Sequence, residues 1–327
     1  MILLNETEGA GFMKETFDRI QNEIKKVIIG KDEVIRSVLM TVIASGHILL
    51  EDIPGVGKTT LALAFSKTLS LKYKRMQFTP DTLPSDVTGF SMYDKNTGEF
   101  EYREGAVMSN LFLADEINRT SPKTQSALLE VMEEGKVTVD GVTHSLPSPF
   151  FVIATQNPFG SAGTQKLPES QLDRFTVRLT MGYPDPASEA VMLKLDKNDL
   201  MKDVSPVIGI DDILRMQSEA ENIYVDDSLY DYIAALSLKS RQSEWLRTGI
   251  SPRGAKAILK MARACAYLSG RDYAVPEDVI EVIYITCCHR VTLSAKAKAQ
   301  GITESDAVEE IVRSVDMPAG KSRALSF

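Results

Sequence analysis

Apolar residues recur every three to four positions through Phe17, Ile20, Ile24 and Val27, a spacing that predicts a first helix over 17–28. Residues 31–44 predict a second. The short apolar run 47–50 then leads into EDIPGVGKTT and a helical stretch over 61–69. Further apolar runs at 75–78, 111–114, 150–154 and 175–179 read as strands, with a helix at 124–132 between two of them. Residues 100–107 read as a hairpin arm, and 137–146 as an extended pair turning at Asp140-Gly141. Five short strands alternating with helices predict an α/β fold with a mostly parallel five-stranded sheet between helices. After Tyr183-Pro184-Asp185-Pro186 the pattern is helical only, at 188–195, 210–219, 228–240, 252–268 and 276–291. The expected organisation is an N-terminal extension at 1–16, an α/β core at 17–190, and a smaller all-α domain at 191–327.

Composition changes this picture little. The 327 residues are 43% hydrophobic and 25% charged, ordinary values for a globular chain. A net charge of −8 argues against wholesale duplex binding. The N-terminus lacks the basic start of a signal peptide, and the longest apolar stretch, 38–50, is too short to span a bilayer. The chain is therefore expected to be soluble and cytoplasmic. Three cysteines, Cys265, Cys287 and Cys288, form no metal-binding spacing and are expected to be structural, as in a reducing compartment. His47 and His144 are likewise expected to be structural.

The chemistry begins at Pro54. A strand, a glycine-bearing loop and a helix make a phosphate-binding device: Gly55 and Gly57 let backbone N–H groups face phosphate oxygens, and the helix adds its positive N-terminus. Val56 and Thr60 belong to the same loop, Lys58 reaches the terminal phosphates, and the Thr59 hydroxyl is a Mg²⁺ ligand. The usual pattern wants glycine at 52, where this chain has Asp52. Asp115 and Glu116 end an apolar strand, the place where a sheet delivers carboxylates to a nucleotide; Asp115 would hold Mg²⁺ through water and Glu116 would act as general base. Asn157, after a third strand, could hydrogen-bond the γ-phosphate and the attacking water, although an Asn before Pro is also an ordinary turn residue.

With these in place the chain resembles the MoxR family of AAA+ ATPases from about Phe17 to Val291. The carriers are LLEDIPGVGKTTLA, QFTPDTLPSDVTG, ADEINRTSPKTQSALLEVMEEGKVTVDG, FFVIATQNP, LPESQLDRF, SPRGAKAI and GRDYAVPEDV, in the family's order. The resemblance implies an AAA+ core followed by a helical lid, with ATP and Mg²⁺ as cofactors. It makes Glu116 the catalytic glutamate, Asn157 sensor 1, Arg174 the arginine finger acting on a neighbouring subunit, and Arg253 sensor 2. Ile28, Ile29 and Gly30 match the stretch that packs on adenine. Segments 137–146 and 100–107 correspond to family insertions before sensor 1 and within helix 2.

Plainer readings stand beside these. Arg174 could pair with Asp173 or Glu169, and Arg119 is an alternative interfacial arginine. The resemblance implies a homohexameric, chaperone-like ATPase that remodels or activates a separate partner, such as a protein with a von Willebrand factor A domain, and no nucleic acid. Two alternatives are carried: a nucleic-acid-remodelling motor, and a nucleotide switch that does not hydrolyse.

Overall fold

Ile48–Glu51 (β1) is buried on both faces over its first three residues, as expected of a strand inside a parallel sheet. It belongs to a five-stranded sheet with Tyr73–Gln77 (β2), Leu111–Asp115 (β3), Phe151–Gln156 (β4) and Val177–Leu179 (β5), in the order β2-β3-β4-β1-β5. Every neighbouring pair is parallel, with Leu49 beside Ala154, Leu113 beside Ile153, and Gln77 beside Asp115. The computed structural model describes residues 6–157, 167–194 and 201–318. The expected α/β class and five-stranded sheet are therefore present.

The strand order places the carboxyl ends of β3, β4 and β1 side by side. Their interior is apolar: Leu49, Phe112, Val152 and Phe175 pack with Leu128 and Val131 of the helix Pro122–Glu134. That helix has the caps its sequence calls for. The Ser121 hydroxyl accepts from the Thr124 amide at 3.3 Å, Pro122 opens the first turn, and Gly135 closes the helix with φ +64°. Phe112 is fully buried, so Phe112→Ala is expected to cost about 3–5 kcal/mol, read as a lower urea midpoint at unchanged m-value.

Two antiparallel hairpins stand outside this sheet. In one, Lys136–Val139 pairs with Val142–Ser145 through Asp140 (φ +48°) and Gly141 (φ +81°), the two left-handed residues of a tight hairpin turn. In the other, Glu99–Glu104 pairs with Gly89–Asp94, a strand that the alternation of polar and apolar residues does not reveal. The Tyr102 and His144 rings stack at 3.8 Å and join the two hairpins.

Contacts divide the chain into a unit at 15–217 and a unit of 218–318 with 6–14. The expected junction at 190/191 thus falls well before the division, because 201–217 bonds to the first unit. The Val207 amide donates to the Thr68 carbonyl, and the Gln217 amide group donates to the Val42 carbonyl. The first helix is Glu6–Lys25, so it takes in much of the stretch expected as an extension and ends before 28. Leu195, the expected end of another helix, lies outside the described residues.

The second unit is built mainly of Asp227–Gln242, Pro252–Leu268, Pro276–Cys287, Ala295–Ala299 and Glu304–Arg313. It also contains a small antiparallel ribbon, Leu246–Thr248 with Thr292–Leu293, which corrects the expectation of helix alone. Two or three residues are too few to display a period of two. Buried Asp278 is held by Arg271 and by the Val275 amide at 2.8 Å. Cys265 and Cys287 are buried, and burial pushes the Cys265 thiol well above its ordinary range. No cluster of three metal-ligating side chains occurs among the described residues.

Candidate active site

The loop 54–57 leaves β1 and turns directly into the helix Lys58–Thr68. Gly55 and Gly57 adopt φ +87° and +94°, conformations that side chains disfavour. A Cβ on Gly55 would meet nothing, and one on Gly57 only the Met181 methyl at 3.8 Å. The space above the loop is thus open for a ligand to approach its backbone. Pro54 through Thr60 all line a cavity of about 590 Å³, within the usual range for a small-molecule site.

The same cavity receives the ends of the neighbouring strands. Asp115 and Glu116 enter from β3, and Asn157 follows β4. Val27, Ile28, Ile29, Met181 and Met192 add an apolar part to the wall, and Lys31, Arg75 and Gln77 complete it. Gly30 does not line it. Its φ is +69°, and a Cβ there would meet the Ser188 hydroxyl at 2.3 Å, so this glycine permits close packing against 185–188.

Lys58 donates to the Asp52 carbonyl at 2.7 Å and the Ile53 carbonyl at 3.2 Å. Burial lowers its pKa, while Asp52, Asp115 and Glu116 pull it back up. Asp52 itself is 5% exposed and turns its carboxylate to backbone amides. One oxygen accepts from Ile53 at 2.8 Å; the other accepts from Met181 at 2.6 Å and Gly182 at 2.7 Å. The residue that departs from the usual loop pattern is therefore a fully engaged tie between the exit of β1 and the chain beyond β5.

The two acids are held differently. Asp115 accepts the Thr155 hydroxyl at 2.6 Å on one oxygen and the Arg75 guanidinium at 2.7 Å on the other. Glu116 has φ +57°, an uncommon backbone state for a residue with a side chain and one that collects at functional sites. Its amide donates to the Thr155 hydroxyl at 2.9 Å, so one buried threonine fixes both acids. Its carboxylate accepts from Arg119 at 2.7 Å and Gln77 at 3.4 Å. Arg119 is thereby engaged within its own chain.

Residues 47–177 match the family model for the ATPase family associated with various cellular activities (AAA), and 238–311 match an AAA lid domain. The chain is 49% identical over 300 residues to the uncharacterized protein YeaC of Bacillus subtilis, covering 91% of this chain and 94% of that one. It is 37% identical over 320 residues to Chaperone MoxR1 of Mycobacterium tuberculosis, covering 95% and 85%. The chain belongs to the MoxR family of AAA+ ATPases. A crystal structure of a candidate ATPase from Cytophaga hutchinsonii superposes with a TM-score of 0.88 at 36% identity, covering 96% of this chain and 98% of that one.

Two further arginines of this MoxR protein lie elsewhere. Arg174 donates to the Leu129 carbonyl and to Glu133, both at 2.8 Å, in place of the expected Asp173 or Glu169. It lines a separate depression of about 460 Å³ with Ser126, Glu130 and Lys136, which shares no residue with the loop cavity. Arg253 is exposed at the start of Pro252–Leu268, where the Ser251 hydroxyl accepts from the Gly254 amide at 3.0 Å. It belongs to the second unit.

Sequence reasoning missed Thr155, Arg75 and Gln77. Thr155 stands two residues before Asn157, and its place near the end of an apolar strand was the available signal. The roles of Arg75 and Gln77 depend on the β2–β3 register. His47, expected to be structural, accepts the Val152 amide at 3.0 Å and lies 2.9 Å from the Met132 carbonyl.

Proposed function

We propose that this MoxR-type ATPase binds ATP with Mg²⁺ and hydrolyses it within a ring of copies, most simply a hexamer. Turnover remodels or activates a separate partner protein. The observation that carries the reading is the convergence in one cavity of the glycine loop, Lys58, Thr59, Asp115, Glu116 and Asn157.

The donor chemistry fits. The loop amides and Lys58 suit phosphate oxygens, while the apolar wall with Ile28 and Ile29 suits a purine base. Thr59 and Asp115 offer the hard oxygen donors that Mg²⁺ prefers, and too few to make an all-protein cage. Held by Thr59 and Asp115, the ion would supply positive charge against the charge developing on the phosphates. Glu116 would take the proton of the attacking water while Asn157 orients it. Arg174, outside its own chain's cavity, would complete the site of a neighbouring copy, and Arg253 would reach the phosphates from the lid.

The name Chaperone MoxR1 carried by one relative favours a protein client, and the family resemblance makes a von Willebrand factor A protein the partner class we propose. No helix among the described residues is long and apolar enough to cross a membrane, and the proposed site of action is the cytoplasm.

Titration with fluorescent ATP and ADP tests the binding claim. Saturable binding is expected, with release of phosphate from ATP that stops on chelation of Mg²⁺. Lys58→Ala is expected to weaken binding at least tenfold, because it removes the cation facing the phosphates. Light scattering with ATP should register a multiple of 36.1 kDa; a monomer under every nucleotide condition would rule out the ring.

A further inference from the structure

The parallel register sets Gln77 beside Asp115 and Arg75 beside Leu113. Arg75 is therefore a diagonal neighbour of Asp115 on one face of the sheet, within reach of a long side chain. Its guanidinium lies 2.7 Å from one oxygen of Asp115, and the Thr155 hydroxyl lies 2.6 Å from the other. Both oxygens are thus engaged by the chain itself. Each oxygen keeps a second lone pair, so a divalent ion can still be held by Asp115, directly or through water, but it meets a positive charge already at hydrogen-bond distance from the carboxylate.

The two partners differ in how easily they can leave. Thr155 is 1% exposed and is fixed by also accepting the Glu116 amide. Arg75 is 42% exposed on the edge strand, and its stem is flexible. We propose that Arg75 is a positioning residue that holds Asp115 until a divalent ion displaces it, and so sets the Mg²⁺ concentration needed to load the site. This rests on reading the cavity as a Mg-nucleotide site.

The test reads metal binding rather than turnover. Free Mn²⁺ is followed by electron paramagnetic resonance during titration into the full chain saturated with ADP. Arg75→Gln is expected to bind Mn²⁺ about two- to fivefold more tightly than the unmodified chain, the scale of a half-exposed ion pair. ADP affinity in excess chelator should stay the same. Arg75→Lys, whose ammonium lacks the guanidinium fork, is expected to fall between the two, and it carries the test if Arg75→Gln does not fold.

Lys74→Gln is the control for charge alone. Lys74 lies on the same strand, but its ammonium is near Glu104 and the Gly105 carbonyl. Unchanged or weaker Mn²⁺ binding in the Arg75 variants, or equal tightening by Lys74→Gln, overturns the proposal. If the unmodified chain binds neither ADP nor Mn²⁺, the nucleotide reading itself fails; if it binds both, only the role of Arg75 is at stake.

Discussion

An Arg174→Ala variant is expected to bind ATP normally and to hydrolyse it about 10³–10⁵-fold more slowly, the range an arginine supplied in trans contributes to phosphoryl transfer. The expectation depends on where Arg174 lies. Its guanidinium rests on the Leu129 carbonyl and Glu133, in a depression separate from the loop cavity. Within one copy it has no nucleotide to act on, so an effect of that size must pass through a neighbour. Mixing therefore decides the matter. Arg174→Ala subunits retain a working loop, and Lys58→Ala subunits retain a working arginine. Two inactive preparations should regain measurable phosphate release when combined. Absence of any recovery, with mixed rings demonstrated by light scattering, would remove the trans assignment.

Glu116→Gln is expected to lower turnover about 10²–10⁴-fold with little change in nucleotide affinity, since general-base catalysis contributes on that scale. Glutamine keeps the shape and can still meet Arg119 and Gln77, which lie 2.7 and 3.4 Å from the present carboxylate. It cannot take a proton. The backbone at φ +57° is already tolerated by a side chain of this length, so the fold should hold. Single-turnover assays separate the steps: ATP should bind at the usual rate and remain intact. Unchanged phosphate release would sink the assignment.

The parts that sequence revealed are those governed by local rules. The strand–loop–helix around Gly57 is encoded within some twenty residues. The hairpin at Asp140-Gly141 and the Ser251-Pro252 helix start are encoded in two or three each. What escaped depends on partners distant in sequence. Gly89–Asp94 carries apolar residues on both faces, so no alternation marks it, and it becomes a strand only beside Glu99–Glu104. The ion pairs that hold the two acids needed the sheet register. Arg75 is forty residues from Asp115, and nothing in the intervening chain announces that they meet. One omission was avoidable. Thr303 and Asp306 form a capping box ahead of Glu304–Arg313, a signal that predicts that helix.

Asp52 bears on how such loops are recognised. A search that demands glycine at the first position of the loop pattern would pass over this chain, although its phosphate-facing glycines are intact. Here that position is an anchor, with three backbone amides converging on one carboxylate. Restoring the consensus with Asp52→Gly would bring the motif closer to its usual spelling while removing the side-chain tie between the exit of β1 and the chain beyond β5. Loops of this kind are better counted from Gly55 onward, with the residue before Ile53 read as a splice between two strands.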